Sequence, residues 1–217
     1  MIKGTYTSMR GWFITFEGPD GSGKTTQMRR LAPWLVDQGF DVVTTREPGG
    51  TPVGEQIRDI LHDCANTEMT SQAEILLYSA SRAQHVGEVI LPALEAGQVV
   101  LCDRFFDSTY AYQGYGRGLS LSDLRAITGF ATRGLKPDLT LYLDVPPEIG
   151  LQRRESSGEA LNRLDREALA FHQRVREGYL DLIRSEPERW CFVDAAGTRE
   201  EIQAFLRRIV MATISGS

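Results

Sequence analysis

Residues 12–26 read WFITFEGPDGSGKTT, and this stretch decides the fold. The apolar run from Trp12 to Phe16 has the length and residue types of a buried strand. At Glu17 it passes into Gly18-Pro19-Asp20-Gly21-Ser22-Gly23-Lys24-Thr25, which fits G-x-x-x-x-G-K-[ST]. Thr26 and the periodic pattern behind it predict a helix over 24–38. Strand, glycine loop and helix in that order make a phosphate cradle. Glycines let backbone N–H groups turn toward oxygens, the helix adds its positive end, Lys24 reaches the β- and γ-phosphates, and Thr25 offers a hydroxyl to magnesium. The motif reports a bound nucleoside triphosphate without separating kinases from GTPases or motor ATPases.

Outward from the loop the alternation repeats. Short apolar, β-branched runs at 41–45, 99–103, 139–145 and 190–195 are separated by helical patterns at 53–63, 70–91, 107–113, 121–132, 147–155, 165–185 and 198–213. Continuous apolar strands joined by helices predict an α/β P-loop NTPase fold, a five-stranded parallel sheet with helices on both faces. Ligands then sit beyond the carboxyl ends of the strands. The polar run RRESSGEALNR at 153–163 reads as a short lid, over about 151–163, or as a solvated loop. Residues 11–217 read as a single domain and residues 1–10 as a frayed extension.

A chain of 217 residues fits one domain with a sizeable core. With 24 Lys plus Arg against 29 Asp plus Glu, the net charge of −5 argues against general nucleic-acid binding. Cys64, Cys102 and Cys191 match no metal-ligand spacing and read as reduced cytosolic thiols. The apolar run of about five residues near the N-terminus is too short for a signal peptide or membrane span, so the expected location is the cytoplasm, away from membranes.

Transfer of a phosphoryl group between two nucleotides needs cations on both sides of it. Asp103-Arg104 closes the third strand run and Arg46-Glu47-Pro48-Gly49-Gly50 follows the second, so both arginines belong to the ligand edge of the sheet. Asp103 stands where a carboxylate can hold the magnesium shell. The plainer alternatives are an Asp–Arg ion pair and a simple turn. Asn162-Arg163-Leu164-Asp165 approaches the N-K-x-D guanine signature of GTPases but has Arg for Lys and follows a polar loop. Arg163 is better read as a lid cation and Asp165 as a helix N-cap or lid anchor.

The ordered blocks FEGPDGSGKTT, TREPGG, AEILLYSASRAQHV, DRFFDSTYAYQGYGRGL, PDLTLYLDV and a terminal RLD, spread over residues 12–172, resemble the bacterial thymidylate kinases. TREPGG with the DR…AYQG-x-GRG block is specific to that family. The resemblance implies phosphorylation of dTMP to dTDP with ATP-Mg, in dTTP synthesis, by a cytoplasmic homodimer. It implies that Tyr78 stacks on thymine where the family usually has Phe, and that Arg82, four residues on, bonds a base carbonyl. Thr109 and Gln113 resemble the polar pair at the thymine edge, and Tyr112 the tyrosine that disfavours a 2′-hydroxyl. Asp20 matches the carboxylate at the acceptor 3′-hydroxyl. Arg46 and Pro48 of TREPGG belong to the acceptor site, where Arg46 and Arg104 would hold the phosphate, Arg104 being the better catalytic candidate. No general base is needed, because the nucleophile is an ionised phosphate oxygen.

The family has one arrangement with a basic residue in the loop and another with Gly there and arginines in the lid; Gly21 implies the second. Arg153, Arg154 and Arg163 are then the lid candidates at ATP, with Arg117 nearby. Relative to the familiar lid, Ser157 replaces an arginine and one residue is inserted before Arg163. A deoxynucleoside kinase is the alternative among kinases, but it needs a carboxylate base, and TREPGG argues against it. A regulatory NTPase is the alternative from another class, and no guanine signature in context supports it.

Overall fold

A computed structural model describes residues 10–156, 158 and 162–216; residues 1–9 of the expected extension, and 157 and 159–161 of the expected lid, lie outside the described residues. Strands β1 (Trp12–Glu17), β2 (Val42–Arg46), β3 (Val99–Asp103), β4 (Leu139–Asp144) and β5 (Trp190–Asp194) form one parallel sheet in the order β2-β3-β1-β4-β5. Side chains alternate across it into two cores. Phe13, Val100 and Tyr142 face one core, and Ile14, Leu101 and Leu141 the other. The second core is closed by α1 (Lys24–Asp37) and α9 (Arg199–Ile214). The first is closed by α3 (Ser71–His85), α5 (Phe106–Thr109), α6 (Leu121–Thr132) and α8 (Leu169–Ser185). A sheet buried on both faces explains why its strands read as unbroken apolar runs.

The remaining helices are α2 (Pro52–His62), α4 (Leu91–Glu95) and α7 (Pro147–Ser156). A π-helical turn, Val86–Ile90, joins α3 to α4, and a longer one, Tyr110–Gly116, continues α5. Arg153 and Arg154 lie on α7, within the helical pattern expected at 147–155 and at the start of the expected lid. One expectation changes. The helix expected from 165 begins at Leu169; Asp165 sits in the preceding turn and is no N-cap, but accepts from the Asn162 backbone N–H at 2.9 Å and from Arg154 Nε at 3.3 Å.

Phe16 and Arg46 are both in register with Asp103, so the glycine loop, Arg46 and Asp103-Arg104 emerge at one end of the sheet. That end is braced from behind. Asp107, fully buried at the start of α5, accepts from Nη1 and Nη2 of Arg189, each at 2.7 Å. Asp107→Ala leaves the guanidinium without its counter-charge and is expected to cost about 3–5 kcal/mol, measured by denaturant unfolding. A loss of only about 1 kcal/mol, the level of a surface pair, would show that the pair braces nothing.

Candidate active site

The loop needs glycine for steric reasons at Gly21, whose φ is +75° and where a Cβ would lie 2.1 Å from the Gly150 carbonyl oxygen. No side chain, basic or otherwise, fits there. Gly23, φ +92°, leads into α1 without a side-chain cap. By contrast α2, α3, α6 and α9 are capped by Thr51, Thr70, Ser120 and Thr198. The first-turn N–H groups of α1 are therefore left for an anion, as a phosphate site requires. Lys24 Nζ donates to the carbonyls of Gly18 at 3.0 Å and Pro19 at 2.7 Å. Burial, and then the Arg104 charge, push this ammonium down to about 8. Thr25 Oγ1 donates to the Asp103 carboxylate across the loop.

Arg104 takes a left-handed backbone, φ +68°, at the end of β3. Its Nη2 donates to Asp20 Oδ1 at 2.7 Å and Tyr112 OH at 3.1 Å, and its Nη1 to Ser108 Oγ at 3.0 Å and Tyr179 OH at 3.2 Å. Tyr112 OH in turn donates to Asp20 Oδ2 at 2.9 Å. Burial alone would raise the Asp20 carboxyl, but Arg104 and then Lys24 outweigh it and hold it well below the usual carboxylate range. Beneath lies Glu17, which accepts from Phe105 N at 2.8 Å, Ser108 Oγ at 2.6 Å and Tyr179 OH at 2.7 Å. Burial, and then the Asp107 carboxylate, push the Glu17 carboxyl up to about 7.

A cavity of about 980 Å³ runs from the loop past Arg104 to α3 and the Tyr110–Gly116 segment. Residues 20–26 line it, as do Arg46, Pro48, Tyr78, Arg82, Asp103, Arg104, Thr109, Tyr112, Gln113, Arg153 and Arg154. At one end Arg153 Nη1 donates to the Ala195 carbonyl at 3.2 Å. At the other, Arg46 forms a two-pronged pair with Glu55 at 2.7 and 2.8 Å. Gly18 and Pro19 do not line the cavity; their carbonyls are the seat of Lys24. Arg163, expected beside ATP, does not line the cavity in this structure: its guanidinium is on the buried carboxylate of Glu74 and the Leu61 carbonyl. A buried carboxylate holds a guanidinium more strongly than solvent does.

Sequence reasoning missed the groups behind the wall. Glu47 accepts from Arg82 Nε at 2.7 Å and sits 3.0 Å from His85 Nδ1. Glu17, Glu74 and Tyr179 are likewise interior. The available signal was Glu17, an acid closing an otherwise apolar strand. Among the described residues no cluster of three His, Cys, Asp or Glu could hold a metal, and no helix is long and apolar enough to cross a membrane.

Residues 16–206 match the family described as thymidylate kinase. The chain is 50% identical over 214 residues to the thymidylate kinase of Herpetosiphon aurantiacus, covering 88% of this chain and 91% of that protein. It is 49% identical over 210 residues to that of Geotalea uraniireducens, covering 94% and 99%. With that of Roseiflexus castenholzii it shares 52% over 209 residues, covering 91% and 90%.

Proposed function

From the premise that the chain belongs to the thymidylate kinase family, and so phosphorylates dTMP to dTDP with ATP, we propose that the loop at residues 18–25 serves both nucleotides at once. Donor phosphates sit on the free N–H groups of α1 with Lys24, and Arg153 and Arg154 of α7 complete the donor side. Tyr78, Arg82, Thr109 and Gln113 read the acceptor base, Arg46 and Pro48 border its phosphate, and Asp20 with Tyr112 meets its sugar. Arg104 stands between the two phosphate groups. The observation that carries this reading is the contact of Arg104 with Asp20 at 2.7 Å, which ties the acceptor side to the donor loop.

Magnesium binds proteins through one or two oxygen ligands and substrate phosphates. The paired Thr25 hydroxyl and Asp103 carboxylate suit it, and when bound it neutralises charge on the transferring phosphoryl group. One kinase domain over 11–217, acting as a cytoplasmic homodimer away from nucleic acid and membranes, completes the proposal. Leu76 of α3 and Phe130 of α6, 58% and 89% exposed on helices that pack together, support self-association.

ADP production from ATP-Mg with dTMP, dUMP, dCMP, GMP or thymidine as acceptor tests the assignment. The largest kcat/KM is expected with dTMP; turnover of thymidine alone would point to a nucleoside kinase. Lys24 adds a pH dependence. Its charged form holds phosphate and is lost as pH rises through about 8, so kcat/KM for ATP, which reports the free enzyme, is expected to fall above that pH. In the ATP complex the phosphates favour the ammonium, so the limb in kcat moves to higher pH. Coincident limbs, or a limb that persists in Lys24→Met, would assign the ionisation elsewhere.

A further inference from the structure

Glu74 on α3 is 1% exposed and gathers three donors on one carboxylate. Gln113 Nε2 and Arg117 Nε each reach Oε1 at 2.8 Å, and Arg163 Nη2 reaches Oε2. Burial alone would raise this carboxyl, but hydrogen bonds from Arg117 and Arg163 outweigh it and hold it below the usual range. Glu74 is thus ionised and only accepts. Such a neighbour leaves the Gln113 amide one orientation. Its NH₂ must face Glu74, since turning it would set two oxygens together in a buried place. The carbonyl oxygen is then the end left for the cavity that Gln113 lines.

Arg82 is fixed in the opposite sense. Nε is on Glu47 at 2.7 Å and Nη2 on Thr109 at 3.1 Å, while Nη1 has no hydrogen-bond partner among the described residues. Arg82 lines the same cavity. The wall therefore places one fixed acceptor, the Gln113 carbonyl oxygen, beside a buried guanidinium whose Nη1 is left unpaired among the described residues. Thymine, with a ring N–H beside a carbonyl, complements that pair; cytosine, with a ring nitrogen acceptor beside an amino group, opposes it at both atoms.

We infer that Glu74 is a specificity-determining positioning residue, which selects thymine against cytosine by dictating which end of the Gln113 amide meets the base. The inference rests on the reading of Gln113 and Arg82 as base readers. Unlike those two, Glu74 does not line the cavity.

The test is the ratio of kcat/KM for dTMP to that for dCMP in the wild type, Glu74→Gln, Gln113→Ala and Arg163→Met. A glutamine at 74 can donate as well as accept, so the Gln113 amide is released. The ratio is expected to fall about tenfold or more, the effect of one buried hydrogen bond mismatched. A merely structural Glu74 would lower both substrates together and leave the ratio unchanged, which overturns the inference. Arg163→Met keeps the Glu74–Gln113 bond and is expected to retain the ratio; its collapse there would also overturn it. If Glu74→Gln does not fold, Glu74→Asp, which keeps the charge but draws the carboxylate back by one methylene from Gln113 and the arginines alike, is read in the same way, with Arg163→Met as the control for the weakened ion pair. An unchanged ratio in Gln113→Ala would refute the base-reading assignment itself. A fall in Gln113→Ala alone would refute only the role of Glu74.

Discussion

Arg104→Met is expected to lower kcat by about 10³-fold or more, with a smaller change in the KM for either nucleotide. The magnitude follows from where the guanidinium stands. Its Nη2 is on Asp20 in the donor loop, and its Nη1 on Ser108 and Tyr179 over Glu17, so its position is set before substrate arrives. A cation held in place stabilises charge that develops on the transferring phosphoryl group without reorganising at that moment. On the proposed reading the ground-state phosphates keep Lys24 and Arg46, so KM is expected to move less than kcat. Arg104→Lys is expected to recover little, because one ammonium cannot hold the Asp20 and Ser108 sides together. A variant within tenfold of wild-type kcat would place the critical cation elsewhere.

Lys24→Met is expected to reduce kcat by about 10²- to 10³-fold. The ammonium is anchored by the Gly18 and Pro19 carbonyls and lies near the Ser22 hydroxyl, at 3.4 Å. On the proposed reading it meets the donor phosphates from inside the loop. Single-turnover kinetics with saturating ATP and dTMP separate this loss from weaker binding. A loss confined to the KM for ATP would mean that Lys24 only binds.

The sheet was legible because both of its faces are buried: residues 12–17 and 139–144 read as apolar runs that only a covered parallel strand explains. The loop was legible because Gly21 and Gly23 adopt backbones that other residues resist. Helix ends were less so. Asp165 looks like an N-cap by residue type, yet its carboxylate is used by Asn162 and Arg154, and α8 starts later at Leu169. Arg163 shows the limit most clearly. Its charge and position suggested the ATP phosphates, and the competing partner, Glu74, lies 89 residues away in sequence and is hidden in the interior. The carboxylates that orient Arg82 and Gln113 were illegible for the same reason. Buried acids look like surface acids until packing assigns them a partner.

That one loop and one arginine serve two nucleotides in a single cavity is tested most directly by calorimetric titration of a bisubstrate analogue, adenosine and thymidine joined 5′ to 5′ through a phosphate chain. Binding about a hundredfold or more tighter than either ATP or dTMP alone is expected from linking two sites within reach, with much of that advantage lost in Arg104→Met. Binding no tighter than ATP, with dTMP still able to bind beside the analogue, would contradict it.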